Sequence, residues 1–287
     1  LKVISLILKI FSKALYSTWI YYAPERILFD AGEGISTSLT HKIYAIKYVF
    51  LTHGHVDHIA GLWGIVNARN NSMGDREKPI VVYYPKNNRA IEEWLRYIKR
   101  ANSDLRYDLE CVPVIPGEQI FVRQAGGFTR YVVPFRVKHT AQNNSVGYHV
   151  IEKRKRLRKE FRDLPQHEIA RLSRERGSET LSEMYEKKIL TVSGDTVGVE
   201  PHEVEETELL LHECTFLKSS DRRMENHASL EEVLNIATKA KVKNLILYHI
   251  SSRYSGRIER YLKKYKTLME ENNIDVKYVD PDKIFSL

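Results

Sequence analysis

The chain has 287 residues, 45 of them Lys or Arg and 37 Asp or Glu, for a formal net charge of +8. That length suits one large domain or two small ones with a real core, and 43% hydrophobic with 10% aromatic residues is the composition of a globular protein. Two cysteines, Cys111 and Cys214, exclude a disulfide framework, and no apolar run approaches bilayer-spanning length, so a cytoplasmic protein is expected, with no membrane partner.

Residues 1–10 are apolar but interrupted by Lys9, and no small-residue cleavage site follows, which predicts an amphipathic strand rather than a leader. Residues 26–29 read as a strand running into Asp30-Ala31-Gly32-Glu33-Gly34. Residues 48–51 read as a short buried strand that delivers Thr52-His53-Gly54-His55-Val56-Asp57-His58. Three imidazoles and a carboxylate so close together are costly to bury unless a cation binds them. His53 and His55 are two apart, so an extended backbone points both to one side. Asp57 and His58 follow as the chain turns and face a second ion, which predicts a two-metal hydrolytic site. The bland readings are an exposed polar loop and a lone structural zinc; the latter usually takes closely spaced cysteines, which are absent.

Further along, residues 80–84 form a strand and residues 88–100 a helix. Residues 131–137 precede His139, residues 189–192 precede Ser193-Gly194-Asp195-Thr196, residues 209–211 precede His212-Glu213, and residues 245–248 precede His249. Candidate ligands thus recur at the C-terminal ends of strands, where sheet enzymes collect their working groups. Ser229 with Glu232 is a capping-box signature for a helix to about Lys239, and a last helix is expected over residues 256–271. His41, His149, His167 and His202 fit no such position and read as structural or surface residues.

Residues 153–162 hold seven basic residues and one acid. The ordinary reading is a solvated helix face. The run is too one-sided for ion pairs along a helix to balance it, which favours phosphate contact through Lys153, Arg154, Lys155, Arg156 and Arg158.

These motifs resemble those of tRNase Z, the tRNA 3′-processing endoribonucleases of the metallo-β-lactamase superfamily. The stretch from Phe50 to Gly61 is similar to the superfamily signature. Residues 30–34 are similar to the family's Asp-x-Gly-Glu-Gly, and His139 and Ser193-Gly194-Asp195-Thr196 to the next two metal motifs. His212-Glu213-Cys214-Thr215-Phe216 is similar to the His-Glu-Ala-Thr-Phe box with Cys for Ala. Asn226-His227-Ala228-Ser229 and His249-Ile250-Ser251-Ser252-Arg253-Tyr254 resemble the closing motifs. Two stretches depart from the family. Phe11-Ser12-Lys13-Ala14-Leu15 replaces its Leu-Gly-Thr-Gly-Ser-like opening, and the arm region has no Gly-Pro motif.

The resemblance implies an α/β fold, a four-layer αββα sandwich forming one domain over residues 1–287, with a basic tRNA-binding arm inserted at 151–187. It implies that His53, His55 and His139 hold one metal, that Asp57, His58 and His249 hold the other, and that Asp195 bridges them. The cofactors would be two Zn2+ per subunit, with Mn2+ or other divalent ions possible. Asp57 would also accept a proton from water, and His227, oriented by Glu213, would protonate the leaving 3′ oxygen. The products would be a 3′-hydroxyl on the tRNA and a 5′-phosphate on the trailer. Arg253, beside Ser251 and Ser252, would grip a phosphate, while Asn67 and Arg69 would seat 3′ nucleotides. Gly177-Ser178-Glu179 would turn the arm, and Leu157, Phe161 and Leu164 would pack its core. The partners would be precursor tRNA, not DNA, and a second copy in a homodimer. The alternatives are a metal-dependent phosphodiesterase or other hydrolase of the same fold acting on a different substrate, and a catalytically silent RNA-binding protein. The boxes around Glu213 and His227 favour tRNase Z over the first, and the intact ligand set weighs against the second.

Overall fold

Ser17–Tyr22 and Ile27–Phe29 are buried at every position, which requires strands covered on both faces. The computed structural model, which describes residues 8–72, 78–140 and 144–287, supplies that cover as two stacked sheets between helical layers. In chain order the strands are β1 (Leu8–Lys13), β2 (Ser17–Tyr22), β3 (Ile27–Phe29), β4 (Tyr48–Phe50), β5 (Ile80–Pro85), β6 (Leu109–Val114) and β7 (Ile120–Ala125). They continue with β8 (Phe128–Val137), β9 (Ser145–Leu157), β10 (Ser182–Val192), β11 (Leu209–Glu213), β12 (Asn244–Tyr248), β13 (Asp275–Tyr278) and β14 (Phe285–Ser286). One sheet has the order β14-β1-β2-β3-β4-β5-β6 and the other β13-β12-β11-β10-β9-β8-β7. Of the opening strand expected over residues 1–10, residues 1–7 lie outside the described residues, and the rest begins β1.

Alternation along each strand divides the core into three clusters. Ile20 and Tyr22 of β2 face the other sheet, where they join Phe29, Phe50, Tyr148 and Leu190. Trp19 and Tyr21, on the opposite face, pack under α1 (Ile35–Leu39), α2 (Val56–Ile59), α3 (Leu62–Ser72) and α4 (Arg89–Ala101) with Ile35, Leu62 and Leu95. The outer face of the second sheet is covered by residues including Val204, Leu230, Val233, Leu234 and Ile258. The result is the expected four-layer αββα sandwich.

In the first sheet β3 through β6 are parallel, as are β10 through β13 in the second. β8 is antiparallel to β9, and β9 to β10, so β8 runs the same way as β10. The ends of β4, β8, β10, β11 and β12 therefore share one edge.

The basic run forms a strand and not a helix face. β9 pairs with β10 out to Leu157, opposite Ser182. Between them the chain forms α5 (Gln166–Arg176) and α6 (Ser178–Leu181), separated by Gly177 at φ +82°. β9 stays paired with β8 as far as Arg154, so the projecting part begins nearer residue 155 than 151. The balance that pairs along a helix could not supply comes in part from acids across the ribbon. Arg156 faces Glu183 and Lys153 faces Glu186 in register, each as an ion pair. Lys155 pairs with Glu179, and Arg154 with Glu152. Leu157, Phe161 and Leu164 are half-buried, while Leu181 is fully so.

The second half carries α7 (Pro201–Val204), α8 (Leu230–Lys239), α9 (Ile258–Leu262) and α10 (Lys266–Glu271). The Ser229–Glu232 capping box forms as expected. The last helix is broken, however, by a 3-10 turn at Lys263–Tyr265. Leu262, Tyr265 and Leu268, which pack on the outer core, recur every third residue, and the tighter turn brings such positions to one side.

Across the sheets, the buried Arg130 of β8 bonds the buried carboxylates of Glu25 and Glu152. Removing the cation leaves buried Glu25 with only the exposed Arg123, at 3.5 Å, and buried Glu152 with only Arg154. Arg130→Met should therefore lower the unfolding free energy by about 3–5 kcal/mol in chemical denaturation. Adding Glu25→Gln and Glu152→Gln should recover most of the loss; a single-variant change under about 1 kcal/mol would show that Arg123 and Arg154 suffice for the two carboxylates.

Candidate metal centre

The shared strand edge gathers the candidate ligands. His53 and His55 leave β4 on the extended segment before α2, and Asp57 and His58 lie in the first turn of α2. His139 follows β8, Asp195 follows β10, and His249 follows β12. Nitrogen and oxygen atoms of His53, His55, His139 and Asp195 form one group within 4.8 Å, and those of Asp57, His58 and His249 form another. Oδ2 of Asp195 lies 3.4 Å from Nε2 of both His58 and His249 and 3.7 Å from Nε2 of His53, so one carboxylate oxygen faces both groups. Nε2 of His58 and Nε2 of His249, contributed by opposite sheets, are 3.4 Å apart.

Outer hydrogen bonds set the tautomers of four rings. Nδ1 of His58 donates to Asp30 Oδ2 at 2.7 Å, and Nδ1 of His139 donates to the Asn226 carbonyl at 2.7 Å. The Thr52 hydroxyl donates to Asp30 and accepts from Nδ1 of His53 at 3.0 Å. Likewise Thr215 Oγ1 donates to Glu213 and accepts from Nδ1 of His249 at 2.9 Å. In each of the four rings Nδ1 is engaged outward and Nε2 faces inward, the orientation of metal-bound histidines.

Glu213 is a fully buried hub. Oε1 accepts from the Thr196 and Ala228 amides, both at 3.1 Å, and from Nδ1 of His227 at 3.0 Å. Oε2 accepts from the amide and hydroxyl of Thr215, both at 2.9 Å. Burial alone would drive His227 neutral. The Glu213 carboxylate on Nδ1, with Asp195 at 3.9 Å, overrides it and pushes the imidazole pKa up to about 9. Burial would raise Asp57, but His249 and His58 hold its carboxyl down at about 2. Burial and the neighbouring imidazoles press His53 well below the usual histidine value, which keeps its lone pair free.

Divalent cations fit this arrangement. His53 Nε2 and Asp195 Oδ1 are buried without a hydrogen-bond partner, a cost that coordination would remove. Imidazole nitrogens and carboxylate oxygens are donors that such ions accept.

Comparison with known proteins agrees with this chemistry. Residues 25–158 match the beta-lactamase superfamily domain. Ribonuclease Z of Thermococcus kodakarensis is 31% identical over 260 residues, spanning 82% of this chain and 77% of that protein. The chain belongs to the ribonuclease Z family. Ribonuclease Z of Archaeoglobus fulgidus is 28% identical over 286 residues, 89% of this chain and 88% of that protein. The short form of human tRNase Z superposes with a TM-score of 0.62 at 19% identity, covering 97% of this chain and 98% of that one. The metallo-beta-lactamase fold protein YhfI of Bacillus subtilis gives 0.64 at 16%, covering 98% and 100%. Both likenesses speak to fold alone.

Against this ribonuclease Z family frame, Arg253 is exposed, donates to Ser251 Oγ, and lies 5.6 Å from the Phe216 ring, itself 6.4 Å from the His227 ring. Ser252 is exposed beside it. Arg69 does not fit its expected role. It is fully buried on α3, its guanidinium spent on the carbonyls of Ile43, Ile46 and Lys78, so it ties loops together and cannot seat a nucleotide. The Asn67 amide is likewise held by the Trp63 carbonyl one turn earlier. His212, next to Glu213 on β11, points to the opposite face and bonds the Glu213 carbonyl, a structural role. His149 stacks on Phe135 at 4.2 Å inside the second sheet.

Sequence reasoning assigned no role to Asp30, Thr52 or Thr215, although each lies inside a quoted motif. Asp30 also adopts φ +56°, which aims its carboxylate back at Thr52 and His58. Asp30→Asn should weaken metal affinity about 10- to 100-fold in a chelator competition. Unaltered affinity would mean that His58 is oriented without it.

Proposed function

We propose that the protein removes the 3′ trailer from precursor tRNA by phosphodiester hydrolysis, leaving a 3′-hydroxyl on the tRNA and a 5′-phosphate on the trailer. The observation that carries this reading is the Glu213–His227 pair beside the ligand cluster, because cutting a phosphodiester requires a proton for the leaving oxygen. Relatives at about 30% identity named Ribonuclease Z support the substrate. The alternative, a phosphodiesterase or other hydrolase of this fold with a different substrate, has no comparable support.

In this reading His53, His55 and His139 hold one ion, and Asp57, His58 and His249 the other. Asp195 serves both. We take the pair as Zn2+, which suits a nitrogen-rich set, with Mn2+ as the substitute. Divalent ions there supply Lewis acidity that acidifies water and offsets phosphate charge. Asp57, ionised beside His58 and His249, would accept the proton released by the water. His227 carries a proton on Nε2 because Glu213 holds Nδ1–H, and it delivers that proton to the departing 3′ oxygen. Arg253, on its exposed turn with Ser251 and Ser252, neutralises a neighbouring phosphate.

The arm contacts the tRNA body. Its ion pairs lie at the surface, where such pairs contribute little and exchange readily for phosphate. Lys153, Lys155, Arg156 and Arg158 are thus available to RNA at small cost, whereas Arg154 is held by the buried Glu152 carboxylate. The protein works as a homodimer in the cytoplasm, each arm serving RNA bound at the partner's centre.

Incubation of the protein with a precursor tRNA should give a 3′-hydroxyl product, and chelator should abolish it. His227→Ala should slow cleavage by roughly two to four orders of magnitude with metal content intact; unchanged turnover would remove it from the mechanism. Replacing the arm tip with a short turn should weaken tRNA binding and flatten its salt dependence, while hydrolysis of a small phosphodiester changes little. Equal losses on both substrates would make the arm a scaffold.

A further inference from the structure

The hairpin joining β1 to β2 carries side chains that neither the core nor the chemistry above uses. Leu15 is 87% exposed and Tyr16 60% exposed, side by side at its tip. Leu15 also holds φ +72°, a left-handed conformation that a residue with a Cβ seldom adopts. Strain of this kind together with large exposed apolar side chains marks a site of contact.

The tip is fastened to the metal centre. The Leu15 amide donates to Asp57 Oδ2 at 3.2 Å, and the same oxygen lies 3.3 Å from Nε2 of His249. The Tyr16 amide closes the turn onto the Lys13 carbonyl. Beneath it, a Cβ on Gly32 would fall 2.5 Å from the Asp57 carbonyl, the Ser17 hydroxyl and the Thr18 amide. Only glycine lets the start of β2 close onto α2 there. Lys13 Nζ sits 5.1 Å from the centre of the Tyr16 ring and is held by Asp282 at 2.7 Å. An exposed aromatic ring, an ammonium beside it and a rigid link to a metal-ligating carboxylate therefore meet at one rim of the centre.

Single-stranded RNA is held by stacking its bases on aromatic rings while basic groups meet the backbone. We propose that Tyr16, flanked by Lys13 and Leu15, is a stacking platform for an RNA base adjoining the scissile phosphate, and that it positions that phosphate for cleavage. The inference rests on the RNA-cleaving reading of the centre. It assigns a substrate contact to the segment that departs from the family's usual opening. Tyr16 is a positioning residue that performs no proton transfer.

The test compares Tyr16→Ala, Tyr16→Phe and Tyr16→Trp with the unaltered enzyme on precursor tRNA that carries a normal or an abasic nucleotide on either side of the cut. In parallel, 2-aminopurine at the same positions reports stacking by fluorescence in the chelated, non-cleaving protein. Tyr16→Ala should lower kcat/KM about 5- to 100-fold on the normal precursor, with Phe and Trp restoring it. The penalty should vanish on one of the abasic substrates, and Tyr16→Ala should abolish the quenching of 2-aminopurine at that position. Metal content and Tm should match the unaltered protein. A penalty equal on normal and abasic substrates, or no quenching by the unaltered protein, overturns the proposal. So does conversion of a dimer to a monomer by Tyr16→Ala, which would assign the tip to a second copy of the chain. If precursor tRNA is not cleaved but Tyr16-dependent quenching persists, the processing reading fails and the platform stands; cleavage indifferent to Tyr16 removes the platform alone.

Discussion

Two carboxylates sunk at facing sheet edges, Asp30 and Glu213, govern the geometry of this protein's centre. A buried carboxylate is tolerated only where donors surround it. Glu213 collects three backbone amides, a hydroxyl and an imidazole, and Asp30 collects the Thr52 amide, its hydroxyl and His58. The bonds that neutralise the two anions also turn the rings of His53, His58 and His249, so each Nε2 looks into one small space. Because one carboxylate belongs to each sheet, the space is defined only when the sheets stack.

The same logic separates the two histidines that Glu213 serves. His227 is bonded directly, through Nδ1, and gains a charge-stabilising partner. His249 is reached through Thr215 Oγ1, which accepts from the ring and donates to the carboxylate. A neutral hydroxyl relays orientation with little of the anion's field, which suits a ligand with a free lone pair. One buried acid thus bonds one imidazole directly and orients another through a hydroxyl. A fold does not by itself select a reaction; the proposed proton transfer depends on the arrangement at Glu213.

Charge is distributed with similar economy. The surplus of basic residues that stands out along residues 153–162 is partly answered by acids on β10 and α6, directly across the ribbon. Exposed pairs of this kind contribute little to stability. Buried Arg130 plays the opposite part, since its pair with Glu25 bridges the sheets and its pair with Glu152 joins β8 to β9, both away from solvent.

Local chemistry determined much of this in advance. The strand-then-ligand rhythm at His53, His139, Asp195, Glu213 and His249 was legible because burial and polarity alternate within a few residues. The Ser229 capping box was legible because its partners are three residues apart. Tertiary structure alone decided what depends on distant neighbours. Arg69 looked available until backbone carbonyls from elsewhere claimed both terminal nitrogens of its guanidinium. The basic run looked unbalanced until a strand some thirty residues on lay beside it. Asp30 sits in a visible motif, but its work is done on His58, which is its neighbour only after folding. A side chain's type is written locally, whereas the partner that orients it, or spends it, is supplied by whatever the fold brings within about 3 Å.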